Sequence, residues 1–269
     1  MTTCDIRIMT FNIRGATYDD GVNAWSNRAA LNVRTIQGHN PDVIGFQELE
    51  TGNLKTYREH LIDYDYVLGL RYNRPGRLFY NAIFWKPARF MLTASGGFYL
   101  SSTPGKWSSA WDAARVHTAM WAKLRPMDIQ SEFLFLNTHL DHVSHRARVE
   151  SSKLIIRKIS LLRHDSQPVI VVGDFNAPPE GLAETSDTVY HTFMVGGFQD
   201  TYRGAKPSNT VHGFRGGQFS QDDLRLDWIL TLNGSRAVQT RSCAIVRAAE
   251  PPLYPSDHYP VIADLTISS

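Results

Sequence analysis

Cysteine is nearly absent: Cys4 and Cys243 are the only two in 269 residues. That excludes a disulfide framework and a cysteine-based zinc cluster, and two isolated thiols suit a reducing compartment. An excess of one charge is also missing, since 28 Lys and Arg face 26 Asp and Glu, a net charge of +2. Binding through bulk charge needs a large basic excess, so nucleic acid is permitted as a partner but not implied. No apolar run approaches the roughly 18 residues a membrane-spanning helix requires. The N-terminus runs almost directly into a strand pattern, without the basic and apolar regions of a secretory signal. The expectation is a cytoplasmic protein, or a secreted one if a targeting segment has been removed. A Gly-rich nucleotide loop and a G-x-S-x-G elbow are absent, and Cys4 has no plausible base beside it. NTPase, dehydrogenase, serine-hydrolase and cysteine-nucleophile chemistry therefore lack an anchor.

What is present is an ordinary globular composition, 42% apolar and 20% charged, enough to bury a sizeable core. No Pro/Ser-rich linker divides the chain, so residues 1–269 read as a single domain with two sheets. Alternation and β-branched content predict strands at Ile6–Ile13, Val43–Glu48, Tyr80–Trp85, from Met91 onward, Thr118–Leu124 and Phe133–Thr138. Further strands are expected at Pro168–Val172, Leu226–Leu232, Ala244–Val246 and Pro260–Thr266. Helical spacing marks 25–38, closed by Gly38, then Leu54–Ile62, 145–163 and a segment near 181–195. Helices between strands, together with hairpin-like pairs, predict mixed rather than purely parallel sheets.

Polar residues recur where apolar runs stop. Asn12 ends the first strand and Glu48 the second. His139 closes "FLFLNTH", Asp174 and Asn176 follow the 168–172 strand in "GDFN", and Asp257 with His258 opens the last strand. Asp227 reads as a mid-strand acid in "LRLDWIL". Taken singly, most have a plain structural role: Asn12 as a turn cap, Glu48 as a helix-start acid, Asp174 and Asn176 as a turn. Asp257 would be an N-cap and His258 a satisfied core histidine. Asp227 is hardest to dismiss, because a buried acid needs a partner. Several carboxylates converging from separate strand ends would make a hard-metal site, for which Mg²⁺ needs only one or two direct ligands. His139, Asp141 and His142 lack helical spacing and a third nearby ligand, which disfavours a zinc site there.

Taken in order, "TFNIR", "QE", "NTHLDH", "GDFNAPP", "LDWIL" and "SDHYPV" span nearly the whole chain, and they resemble the endonuclease/exonuclease/phosphatase superfamily of deoxyribonuclease I and exonuclease III. Trp25, Arg28, "AWDAARVHTAMW" with Trp111, Asp112 and Arg115, and the "NTHLDH" segment with Arg146 are similar to bacterial members of unassigned substrate. The resemblance implies an α/β fold, a four-layer α/β/β/α sandwich of two packed mixed sheets, with the site at one edge. It implies a Mg²⁺-dependent (or Mn²⁺-dependent) phosphoesterase using metal-assisted in-line attack of water.

By motif, Glu48 would ligate the ion, with Asn12 and Asp257 close to it. Asp174 would orient or deprotonate the water, and Asn176 would hold a phosphoryl oxygen or that water. Asp227 would fix His258, His139 would serve the scissile phosphate, and Arg115 would neutralise a non-bridging oxygen. In deoxyribonuclease I-like members a Glu pairs with the histidine equivalent to His139; an ungapped alignment places Phe79 there. The substrate classes left open are a small or lipid-like phosphoester, DNA or RNA, and no substrate at all in an inactive binding module. The arginines in "GLRYNRPGR" and the loop 202–217 are the candidate nucleic-acid contacts.

Overall fold

Period-two alternation sets the layers of this computed structural model, which describes residues 2–74, 76–164, 167–179, 188–204, 208–219, 224–232 and 238–268. The first half contains β1 (Thr3–Asn12), α1 (Trp25–His39), β2 (Val43–Leu49), α2 (Thr51–His60), β3 (Asp65–Arg74) and β4 (Arg77–Trp85). Then come β5 (Phe90–Tyr99), β6 (Thr118–Pro126), β7 (Phe133–His139), α3 (His145–Leu162) and β8 (Val169–Asp174). The chain ends with α4 (Val189–Val195), β9 (Gln199–Asp200), β10 (Asp227–Leu232), β11 (Val238–Ile245) and β12 (Val261–Ser268).

Two six-stranded sheets result, ordered β11-β12-β1-β2-β4-β3 and β5-β6-β7-β8-β10-β9. Each holds one parallel pair, β1 with β2 and β7 with β8, while the other pairings are antiparallel. In β1, Ile6 and Ile8 face the layer between the sheets, whereas Met9 and Phe11 face α1 and α2. In β8, Ile170 and Val172 face that central layer, whereas Val169 and Val171 pack under α3 and α4. Successive strand side chains point to opposite faces, so one short sequence feeds two cores. The expected four-layer α/β/β/α sandwich is thus observed. Among the described residues, no helix is long and apolar enough to cross a membrane.

The sheets are joined by polar bonds as well as apolar packing. Asn137 on β7 donates to the carbonyls of Phe46 at 2.8 Å and Ala82 at 2.9 Å across the interface, and accepts from Gln47 Nε2 at 2.7 Å. Close approach makes this possible: a Cβ on Gly45 would lie 2.4 Å from Val172 and 3.0 Å from the Asn137 amide carbon.

Some boundaries differ from expectation. Strand β3 goes unrecognised in the sequence because Gly69 and charged residues interrupt its alternation; a Cβ at Gly69 would meet the Asn81 carbonyl at 2.6 Å. Helix α1 runs through Gly38 and ends instead at Asn40, whose φ of 50° supplies the left-handed cap. The helix expected near 181–195 is present as α4, and residues 180–187 lie outside the described set. Asp227 stands not in mid-strand but at the first position of β10, directly opposite Asp174.

Asn137→Leu keeps the shape but removes the side-chain donors to the buried Phe46 and Ala82 carbonyls and the shortest acceptor of the Gln47 amide, which retains Thr10 Oγ1 and the Gly45 carbonyl. We expect it to cost about 3 kcal/mol in chemical denaturation, with a loss below roughly 0.5 kcal/mol contradicting the role given to these bonds.

Candidate active site

Parallel strands deliver their carboxyl ends to one edge, and in open α/β sheets that edge forms ligand sites. Here the two parallel pairs end side by side. Asn12 closes β1, Glu48 follows at the end of β2, His139 closes β7 and Asp174 closes β8. Asp227 begins the antiparallel neighbour of β8, and His258 precedes β12 in a loop bridged to Val211. The resulting cavity of about 260 Å³ is lined by nearly all the candidates: Asn12, Glu48, Arg115, His139, Asp174, Asn176, Asp257 and His258. Asp227 sits behind it, against His258.

Asp174 occupies the centre, only 1% exposed. Its Oδ2 accepts from Asn12 Nδ2 at 2.9 Å and lies 3.5 Å from His139 Nε2 and 3.9 Å from His258 Nε2. Its Oδ1 accepts the Asn176 backbone N–H at 2.9 Å. Burial opposes the charge, but the two histidines and these hydrogen bonds outweigh it and hold the carboxyl below its usual range. The preceding glycine is required by space: a Cβ on Gly173 would sit 2.2 Å from the Thr138 carbonyl of β7. Asn176 adopts φ 47°, and its amide donates to the Leu140 carbonyl at 2.9 Å. One amide N–H is then left for the cavity.

His258 Nδ1 lies 2.8 Å from Asp227 Oδ2. Burial disfavours the imidazolium, yet Asp227 and then Asp174 overcome it and raise His258 to about 10. The ring is therefore charged at neutral pH, with Nε2–H turned toward Asp174. Asp227 is anchored in turn by the backbone, its N–H donating to Thr210 Oγ1 at 3.1 Å.

His139 is held differently from the paired-acid expectation. Asp141 does not reach it; the Asp141 carboxylate accepts from the Ala114, Val143 and Ser144 backbone N–H groups instead. Phe79 packs against Tyr72 with ring centroids 5.6 Å apart. The Tyr72 hydroxyl takes over, 3.2 Å from His139 Nδ1 and accepting the Glu48 backbone N–H at 2.9 Å. Burial pushes the Tyr72 hydroxyl well above its usual range, so it keeps its proton for His139 Nδ1. Burial also lowers the His139 pKa, and the neutral ring then carries its proton on Nε2, facing Asp174.

Glu48 sits half-buried at an irregularity. The β2–β4 pairing shifts register between Phe46 and Leu49, and Glu48 takes φ 60°, turning its side chain out of the sheet. Among the described residues its carboxylate receives only two long hydrogen bonds, 3.5 Å from Asn12 Nδ2 and 3.5 Å from Gly15 N. Burial, and then Asp257, push Glu48 up to about 7. Arg14 lies 3.5 Å from Asp257 and bonds Asp20 at 2.9 Å, balancing part of this charge. Asn12 presents its amide N–H to the acids, while its oxygen accepts from Arg14 N at 3.1 Å. A poorly hydrogen-bonded carboxylate beside further acids is the donor set a hard divalent cation would fit. Arg115, half-buried at the wall, has no acidic partner among the described residues, which leaves its guanidinium to an incoming anion.

Tyr72, Arg14 and Tyr18 complete the cavity and escape sequence reading. Arg14 lies within a recognised motif, but Tyr72 and Tyr18 read as ordinary aromatics. Of the arginines considered for nucleic acid, Arg71 bonds the Tyr80 hydroxyl and Arg77 stacks 4.2 Å from the Tyr18 ring centre. The Arg74 side chain and residues 205–207 lie outside the described set.

Fold and site together define a phosphoester-hydrolase architecture of the deoxyribonuclease I type. A family model described as the Endonuclease/Exonuclease/phosphatase family matches residues 9–258, and the chain belongs to that family. Its members are hydrolases acting on phosphoester bonds. A family protein from Bacteroides thetaiotaomicron is 27% identical, with TM-score 0.86 and 100% coverage of both chains. One from Bacteroides vulgatus is 30% identical, with TM-score 0.85, covering 98% of this chain and 100% of its own. A mannosyl-6-phosphatase of Bacteroides thetaiotaomicron is 28% identical, with TM-score 0.84 and coverage of 97% and 99%.

If Tyr72 orients His139, Tyr72→Phe lowers kcat by about tenfold or more with KM little changed, and costs about 1–2 kcal/mol of stability. Steady-state kinetics and denaturation check this; an unchanged kcat would remove Tyr72 from the site's machinery.

Proposed function

We propose that the protein is a divalent-metal-dependent phosphoesterase that hydrolyses a small phosphoester, favouring a phosphomonoester of a hydroxylated small molecule. The observation that carries this reading is Asp174, ionised and held between Asn12, His139 and His258 on the floor of a polar cavity. An ionised carboxylate so placed can orient a water and accept its proton as that water attacks phosphorus in line. His258, charged and fixed by Asp227, and neutral His139 both direct Nε2–H toward Asp174, where they would donate to phosphoryl oxygens. Asn176 would hold one further oxygen, and Arg115 would neutralise another from the wall. Neutral His139 would hydrogen-bond the departing oxygen through Nε2–H, and the imidazolium of His258 is the acid that can give that oxygen its proton.

Glu48 and Asp257 would hold the cation, with Asn12 beside it. When bound, Mg²⁺ or Mn²⁺ would supply electrostatic stabilisation of charge on the phosphoryl group. A cavity of about 260 Å³ suits a phosphate with a compact leaving group better than a duplex. Arg71 and Arg77 are engaged with Tyr80 and Tyr18, which argues against a broad nucleic-acid track. Similarity to a mannosyl-6-phosphatase over nearly the full chain supports sugar phosphates as the first substrates to try.

The test is a panel of sugar phosphates, aryl mono- and diesters, RNA, and nicked and abasic DNA, run with Mg²⁺, Mn²⁺ or EDTA. Monoester hydrolysis should need the metal, and Asp174→Asn should lower kcat by about 10²–10³ or more. The cation-binding form of Glu48 is the ionised one, present above its raised pKa. At limiting Mg²⁺, activity should therefore fall as pH drops through about 7, and it should fall again as His258 loses its proton near 10. Turnover that survives EDTA or Asp174→Asn would overturn the reading; preference for nucleic acid with a steep salt dependence would replace its substrate class.

A further inference from the structure

A second group of potential ligands lies on the cavity wall, apart from the strand-end acids. His117 at the lip of β6, with Asp141 and His142 after β7, each offer a ligand atom within 4.8 Å of the others. The sequence disfavours zinc at His139, Asp141 and His142 for want of a third nearby ligand; the fold brings His117 to Asp141 and His142, and His139 belongs to the other site.

A carboxylate has about four lone-pair positions. On Asp141, Oδ1 accepts from Val143 N at 2.9 Å and Ser144 N at 2.7 Å, and Oδ2 accepts from Ala114 N at 2.8 Å. The remaining position lies beside His117 Nε2, 3.4 Å away. Among the described residues the His117 ring nitrogens have only this long contact to Asp141 and one to the His139 backbone, and neither meets hydrogen-bond geometry, although the residue is only 5% exposed. A buried imidazole held this loosely is unusual in a native interior. The separation itself suits a shared ion. Around a tetrahedral centre with bonds of about 2.0–2.1 Å, adjacent ligand atoms stand about 3.3–3.4 Å apart. His117 and Asp141 already span such an edge. His142 is exposed, so rotation of its side chain can bring its nitrogen in.

We propose that His117, Asp141 and His142 form a separate cation site for a borderline transition metal, with Zn²⁺ as its best-matched ion. Two imidazoles and one carboxylate suit zinc, whereas Mg²⁺ selects oxygen ligands, as at Glu48 and Asp257. Three protein ligands leave one position open. His117, His142 and Arg115 line the same cavity as Asp174, so that position faces the space a phosphoester would enter and takes an oxygen from water or phosphate.

The test is calorimetric titration of Zn²⁺ into the full chain in a large excess of Mg²⁺, which occupies the oxygen-rich site. One Zn²⁺ per chain should bind, and Co²⁺ in its place should give the visible absorption of a four- or five-coordinate ion. His142→Ala, at an exposed position, should weaken Zn²⁺ at least about 100-fold, while Asp174→Asn, in the other His/Asp group, should leave it within about twofold. Absence of Zn²⁺ binding, binding indifferent to His142→Ala, or equal loss in Asp174→Asn would each overturn the proposal. The readout is metal binding rather than turnover, so failure here is separable from failure of the phosphoesterase reading.

Discussion

A charged carboxylate at 1% exposure survives only where its surroundings compensate the lost water, and Asp174 is such a group. The compensation comes from both sheets. Asn12 arrives from β1, His139 from β7, the Asn176 N–H from the turn after β8, and His258 from the loop before β12. Neither sheet alone supplies the set. The packing of the two sheets and the charge state of Asp174 are thus one constraint.

The surrounding fold maintains that constraint through backbone clamps. Arg28 is fully buried, has no acid partner among the described residues, and donates to the carbonyls of Ile13, Arg14, Asn23 and Pro255. It ties the loop after β1 to the segment before Ser256, whose hydroxyl bonds the Asn12 carbonyl at 2.7 Å. Gly173 lets β8 approach β7 closely enough for Asp174 and His139 to meet. Tyr72 couples the backbone of Glu48 to the ring of His139, so the residues proposed to face metal and leaving group share one hydroxyl.

Much of this was legible in the sequence, for identifiable reasons. Acids and amides that end apolar strands stand out because burial penalises them, which pointed to Asn12, Glu48, Asp174, Asp227 and His258. All of these meet at one edge. Tyr72 was illegible because an aromatic beside apolar neighbours normally packs a core, and its role depends on β3 lying next to β4. His117 was illegible for a similar reason: its partners come from after β7, and only the β6–β7 pairing brings them together. Helix ends were misjudged at Gly38, where Asn40 supplied the left-handed residue.

The central claim is that these strand ends form one hydrolytic centre with Asp174 at its hub. A crystal structure with Mg²⁺ and orthovanadate, a mimic of the five-coordinate phosphoryl group, tests it most directly. The account predicts Mg²⁺ on Glu48 and Asp257, and vanadate above Asp174 within hydrogen-bond reach of His139, Asn176 and His258. Vanadate bound elsewhere, or Mg²⁺ bound away from Glu48, would contradict it.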